Sequence, residues 1–267
     1  CKPVFVDIDP DTLNIDPAKI EAAITKDTSA ILATHVYGNP CDIDAIEAIA
    51  KKHHLKVIYD AAHCFGVKYK GKSVFSYGDV STVSFHATKL YHSIEGGAVF
   101  TSDPELLKRM AYIRNFGFNG PENFACVGIN GKNSEFHAAM GLANLNYADD
   151  IMAKRKEQFL LYNELLARLD MKQQTINKDA EYNYSYYPII LPSEEVLKKF
   201  ESWLNAGWVY PRRYFYPSLH DQDFLEKGNC PLAADISKRV LCLPLYYDLT
   251  TEEIYLIIRI LLRGQNY

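Results

Sequence analysis

Short apolar runs alternate with capped amphipathic segments through the first half of the chain, an order that leaves a parallel sheet covered by helices as the expected fold. Pro3–Ile8, Ile31–Val36 and Lys56–Tyr59 read as strands, and another strand-like run leads into Ser84. Between them, Asp16-Pro17 sets a capping carboxylate before a proline at the first helical position, with Ile20, Ala23 and Ile24 on one face and an end near Lys26. Asp42 caps a helix carrying Ile43, Ile46 and Ala50. Asp103-Pro104 starts another, with Leu106, Leu107, Met110 and Ile113 apolar and Gly117 as its stop. From Ser134 a broken helical pattern runs towards Asp170, and the charged run Lys154–Glu157 reads as a solvated face. Strand character resumes from Tyr182 to Leu191, and Ser193 caps a helix reaching Asn205. The expectation is an α/β chain: a large, mostly parallel-sheet domain over residues 1–150, then an interdomain helix and a smaller α+β C-terminal domain over 151–267.

Ligands of open α/β sheets bind beyond the carboxyl ends of the parallel strands. Two such ends are chemically loaded here. Lys56–Tyr59 runs into Asp60-Ala61-Ala62-His63, and the later strand runs into Ser84-Phe85-His86-Ala87-Thr88-Lys89, followed by Glu95-Gly96-Gly97. An acid, an imidazole, a hydroxyl and an amine at neighbouring strand ends suit pyridoxal phosphate. Its aldehyde needs a primary amine, which only a lysine side chain offers, so Lys89 is the catalytic candidate. Its ring nitrogen must stay protonated, and a carboxylate beside it holds that proton, a role for Asp60. His63 would bond the phenolic oxygen, and Ser84 would give a hydroxyl to the phosphate. Each residue alone has an ordinary alternative: a solvated lysine, a helix-capping aspartate, a satisfied core histidine. Their joint placement favours the site. His35 and Tyr37, at another strand end, border the substrate or simply pack, and Cys64 beside His63 reads as packing.

A net charge of −4 leaves no basic footprint for nucleic acid. The apolar run Ile254–Leu262 is broken by Arg259 and too short to span a bilayer, so it reads as an amphipathic or buried helix and no membrane partner is expected. The 6 cysteines show no CxxC or other metal spacing, and no signal peptide stands ahead of Val4; no metal site and a cytoplasmic setting are expected. The glycine-rich stretch Asn115–Asn133 is long enough to be functional and is expected at a dimer interface. Arg212, Arg213 and Tyr214 offer guanidinium forks and an aromatic face to a nucleotide diphosphate.

Asp60-Ala61-Ala62-His63, the Ser84–Lys89 segment, Glu95-Gly96-Gly97 and Gly128-Ile129-Asn130 together resemble the DegT/DnrJ/EryC1/StrS family, and the likeness runs from Pro3–Ile8 through Arg114-Asn115-Phe116-Gly117 into the C-terminal half. The resemblance implies a sugar-nucleotide aminotransferase of PLP-dependent fold type I, drawing nitrogen from glutamate. By the same likeness Lys89 is the Schiff-base lysine, Asp60 the pyridinium partner, His63 the neighbour of the cofactor's O3′ and Ser84 a phosphate ligand. Asn130 matches a residue that reaches the neighbouring subunit's phosphate, which implies a homodimer with shared active sites. Arg212–Pro217 and Gly128–Ser134 look like members acting on dTDP-4-keto-6-deoxyglucose, for cell-surface polysaccharide or secondary-metabolite synthesis, with amination at C3 or C4 open. In the family, the run Cys1–Asp7 lies well inside the large domain. The resemblance therefore implies an earlier segment with the first helices, a phosphate-binding turn and an aromatic residue over the pyridine ring, and a large domain incomplete at its N-terminus. A truncated, non-catalytic remnant or interaction protein of this fold is the alternative. The related sugar 3-dehydratases carry histidine in place of the lysine, and Lys89 argues against that chemistry.

Overall fold

The computed structural model describes residues 1–265. In chain order the elements are α1 (Pro17–Ala23), β1 (Ala30–Thr34), α2 (Ile43–Lys52), β2 (Lys56–Asp60), β3 (Lys68–Tyr69), β4 (Lys72–Ser73), β5 (Val80–Ser84), β6 (Gly97–Phe100), α3 (Pro104–Arg114), α4 (Glu135–Leu145), α5 (Ala148–Leu165), β7 (Lys172–Gln173), β8 (Ala180–Glu181), β9 (Tyr187–Ile190), α6 (Glu194–Ala206), α7 (Pro231–Arg239), β10 (Val240–Leu243) and α8 (Thr251–Gln265). The principal sheet has the order β1-β2-β5-β6. Its first three strands are parallel, and β6 returns antiparallel to β5. The fold is thus α/β and mostly parallel in its main sheet, as expected.

The helix starts follow the capping chemistry. Asp16 accepts from the Ala18 amide at 3.0 Å, Asp42 from Ala45 at 3.1 Å, Asp103 from Glu105 and Leu106 at 2.9 and 3.1 Å, and Ser193 from Val196 at 3.3 Å. The helix begun by Asp16 stops at Ala23, short of Lys26. There Ile24 is extended, and the Thr28 hydroxyl accepts from the Thr25 amide at 2.9 Å, a local bond that competes with another helical turn. The long pattern after Ser134 resolves into α4 and α5.

Two expected strands differ. Pro3–Ile8 forms no strand, and its backbone pairs only through an Ile8–Ile15 bridge. The segment instead delivers the buried Asp7 carboxylate to the start of α7, where it accepts from Leu232 at 3.1 Å and Ala233 at 2.9 Å. Tyr182–Tyr186 is irregular, and only Tyr187–Ile190 pairs as β9, because Asn183 and Ser185 spend their polar groups on the loop after β2.

One hydrophobic cluster, with Ile31, Ile43, Ile46, Val57 and Tyr59, joins the main sheet to α1 and α2. A second, with Tyr162, Ile189, Leu204, Leu241, Ile257 and Leu261, lies among α5, α6, α8 and the β7-β9-β10 sheet. The two halves also meet through neutral amides. Asn39 donates to the Thr175 carbonyl at 3.0 Å, Gln174 to those of Thr12 and Val36 at 2.7 and 3.1 Å, and Asn177 to that of Cys41 at 3.2 Å. Among the described residues, no helix is long and apolar enough to cross a membrane.

Candidate active site

Parallel pairing brings Thr34, Asp60 and Thr82 to one level, and the loops beyond them carry the candidate residues. Asp60 closes β2; its carboxylate accepts from the Ala62 amide at 3.0 Å, which turns the chain towards His63. Ser84 closes β5 and faces Gly97 across the β5–β6 pair. A side chain at Gly97 would put its Cβ 2.7 Å from the Val83 carbonyl oxygen, so the return strand packs this closely only through glycine. Between these strands the loop folds on itself through Phe85–Gly96 and Ala87–Ile94 backbone bonds of 2.9 and 2.7 Å, with Lys89 within it.

Lys89 is half-buried. Burial lowers its amine below the ordinary lysine range; the Asp60 carboxylate pulls it back up, and the Arg212 guanidinium pushes it down again. The amine sits 5.9 Å from the centre of the Tyr214 ring. His63 is 7% exposed, and burial, with help from the Lys89 charge, pushes its pKa to about 3, so the ring is neutral. Its Nε2 lies 3.4 Å from the Tyr186 hydroxyl, while its Nδ1 is enclosed without a hydrogen-bond partner. The ring stacks on Phe215 at 5.7 Å and 7°, with Tyr186 at 4.6 Å. Its backbone carbonyl accepts from Asn183 Nδ2 at 2.8 Å and Ser185 Oγ at 2.9 Å. Lys89, Ser185, Tyr186, Arg155 and Arg212 all line one cavity of about 800 Å³.

The profile of the DegT/DnrJ/EryC1/StrS aminotransferase family matches residues 1–262. The chain belongs to that family. It is 42% identical over 258 residues to a dTDP-4-amino-4,6-dideoxy-D-glucose transaminase of Shigella dysenteriae, covering 94% of this chain and 70% of that one. It is 38% identical to an enzyme of the same description from Escherichia coli, covering 97% and 73%. Among solved structures, DesI in the presence of its TDP-sugar product superposes with a TM-score of 0.91 at 33% identity, covering 98% of this chain and 69% of that one. The protein is therefore an aminotransferase with this family's fold.

Not every residue singled out from the aminotransferase's sequence reaches the cavity. Arg213 is turned away from it: Nη2 donates to Glu194 Oε1 at 3.0 Å and to the Lys238 carbonyl at 2.9 Å, and the guanidinium lies 3.8 Å from the Tyr216 ring centre. Asn130 stands on an exposed loop, its side-chain oxygen accepting from Lys132 at 3.0 Å. Asp60, His63 and Ser84 stand at the strand ends next to Lys89 without lining the cavity themselves; Ser84 Oγ accepts from the His86 amide at 3.3 Å, which leaves its hydroxyl proton to donate. His35 and Tyr37 border nothing open. His35 is fully buried and stacks on Tyr59 at 4.6 Å, and the Tyr37 hydroxyl donates to the Tyr214 carbonyl. Cys64 is fully buried with its thiol pushed well up by burial, the mark of packing and not of a nucleophile. No cluster of metal-ligating side chains occurs among the described residues.

Sequence reasoning missed Tyr186, Asn183, Ser185 and Arg155 as parts of the site. Arg155, buried and bonded through Nη1 to the Ser185 carbonyl at 3.0 Å, was read as part of a solvated face. One signal was available: polar Asn183 and Ser185 inside an otherwise aromatic run mark buried polar groups that need distant partners.

Proposed function

We propose that this aminotransferase uses pyridoxal phosphate to convert dTDP-4-keto-6-deoxyglucose to its 4-amino sugar, with glutamate as nitrogen donor. The observation that carries this reading is the pairing of a half-buried lysine, its amine lowered by burial, with a carboxylate whose charge acts on it. The donor set fits the cofactor: an amine for its aldehyde, a carboxylate for its ring nitrogen, a neutral imidazole for its phenolic oxygen and a hydroxyl for its phosphate. When bound, the cofactor supplies an aldehyde that takes up the donor's nitrogen and a cationic ring that accepts the electron pair left when a carbon loses its proton.

The protein's own groups do the rest. Asp60 holds the proton on the ring nitrogen. Lys89 Nζ, its proton held less tightly because burial lowers the amine, removes the proton from the donor's α-carbon once freed from the cofactor and later delivers one to the sugar carbon that gains nitrogen. Ser84 gives a hydrogen bond to the phosphate. Arg212 takes the nucleotide's diphosphate through its planar fork. Arg213, held by Glu194, is left a structural role.

Two copies of the chain would share the site. Phe124, Val127, Ile129, Phe136 and Leu142, at 68%, 95%, 64%, 87% and 70% exposure, leave a run of large apolar side chains in solvent on α4 and the loop before it, which a second copy would bury. A second copy covering this run would bring Asn130 to the partner's phosphate. The division into residues 1–150 and 151–267 is supported by one hydrophobic cluster lying wholly in the first part and another wholly in the second, although a third, smaller one with Leu13, Tyr37, Ile190 and Ile236 bridges them.

The test is the spectrum of the purified chain with added pyridoxal phosphate, borohydride reduction and peptide mapping. A pyridoxyl group fixed on Lys89, absent in Lys89→Ala, with 2-oxoglutarate formed from glutamate beyond one equivalent per site only when the dTDP-keto sugar is present, would support the reading. A label on any other lysine would refute the site.

A further inference from the structure

We infer that Trp208 and Tyr210 form a base subsite at the mouth of the Lys89 cavity, a stacking platform for the nucleobase of a nucleoside-diphosphate sugar; this deepens, and rests on, the nucleotide-sugar reading above. The first observation is where Trp208 stands. The α6 helix closes with the Val209 amide donating to the Leu204 carbonyl at 2.9 Å, and this turn leaves Trp208 in the left-handed region, at φ 61. That position belongs by preference to glycine, since any L side chain there crowds its own backbone. A bulky ring at 83% exposure recovers no burial in return. A costly conformation combined with a costly exposure marks a residue retained for what it contacts.

The second observation is alternation. Along the outgoing segment Trp208, Tyr210 and Arg212 are exposed, while Val209, Pro211 and Arg213 are partly covered. Trp208, Tyr210 and Arg212 all line the cavity that holds Lys89. Exposure falls from 83% at Trp208 to 64% at Tyr210 and to half-buried at Lys89, so the two aromatic rings stand on the open side of the cavity and the amine lies deeper, with the Arg212 cation on the same segment as the rings. Two residues of extended chain advance about 6.5 Å. Tyr210 therefore stands about one such step from Arg212, comparable to the pentose that separates a base from its diphosphate. Tyr246 and Tyr247, at 44% and 50% exposure, line the same cavity and offer further aromatic surface. The sequence of chemistries matches base, diphosphate and keto sugar in turn.

The experiment is calorimetric titration of the full chain with dTDP and, separately, with inorganic pyrophosphate, for wild type, Trp208→Ala, Trp208→Gly and Arg212→Met. A base–aromatic stack contributes about 1–3 kcal/mol, so Trp208→Ala is expected to weaken dTDP about 5- to 150-fold and to leave pyrophosphate unchanged. Trp208→Gly should weaken dTDP equally while raising Tm by about 2–4 °C, because glycine relaxes the left-handed turn. A gain in stability alongside a loss of affinity is the outcome that a merely structural tryptophan would not produce. Arg212→Met should weaken both ligands. If Trp208→Ala binds dTDP as wild type does while Arg212→Met does not, the platform is refuted and the nucleotide reading stands. If wild type binds neither ligand, both fall together.

Discussion

Two histidines make the stability of this aminotransferase depend on pH in a way that can be worked out beforehand. Burial pushes His35 and His63 each from an ordinary value of 6.5 to about 3. Above about pH 6.5 both are neutral whether the chain is folded or unfolded, and neither costs anything. As pH falls below that value the unfolded chain takes up a proton at each imidazole, and the folded chain refuses it until about pH 3. Stability is therefore lost on acidification through this window, by about 1.4 kcal/mol per pH unit for each histidine. At about pH 5 the loss is about 2 kcal/mol per ring and about 4 kcal/mol for the pair. His63→Gln removes one of the two. Urea unfolding of both proteins at about pH 7.5 and about pH 5, at one ionic strength, isolates the effect: the variant should lose about 2 kcal/mol less than wild type between the two conditions. Any direct cost of the substitution cancels in this double difference, as do carboxylate contributions common to both proteins. Equal losses in the two proteins would mean that His63 titrates normally, and the picture of an enclosed neutral ring against Tyr186 and Phe215 would be wrong.

Other outcomes follow from contacts described above. Asp7→Ala strips the start of α7 of its only two side-chain acceptor bonds among the described residues, from Leu232 and Ala233, and should cost about 1–2 kcal/mol in urea unfolding; a neutral result would show that the cap is replaced by solvent. Arg213→Met should lower Tm by releasing Glu194 and the Lys238 carbonyl, yet leave pyrophosphate affinity as it was, the converse of Arg212→Met. A loss of pyrophosphate binding in Arg213→Met would reverse the roles given to these neighbouring arginines.

What was legible in the sequence was local. Asp16, Asp42, Asp103, Ser134 and Ser193 announce helix starts because the bond each makes reaches only two or three residues along the chain. Asp60 and Lys89 could be placed near each other because a parallel sheet aligns its strand ends whatever the loops do. The remainder depends on partners far along the chain. Nothing local distinguishes Arg212 from Arg213; the Arg212–Cys242 bridge sets the register that turns one to the cavity and the other to Glu194. The box around His63 is built by Tyr186, Tyr214 and Phe215, more than a hundred residues away, so no pattern around His63 could announce it. Pro3–Ile8 shows the opposite failure: it has the composition of a strand, but its backbone meets no partner strand, and its important group is one carboxylate.

The amides that join the two halves carry a mechanical consequence. Asn39, Gln174, Asn177 and Asn183 each end on a main-chain carbonyl of the opposite half, so they act as struts of fixed length between backbones. Each is neutral, so neither salt nor moderate acid loosens it. Prising the halves apart would forfeit about 1 kcal/mol for every strut released, all together. Tyr186, which lines the cavity and packs on His63 at 4.6 Å, is for that reason tied to the strand ends. On the reading proposed above, a nucleotide sugar would have to fit that space as it stands and enter on the side where Trp208 and Tyr210 are exposed.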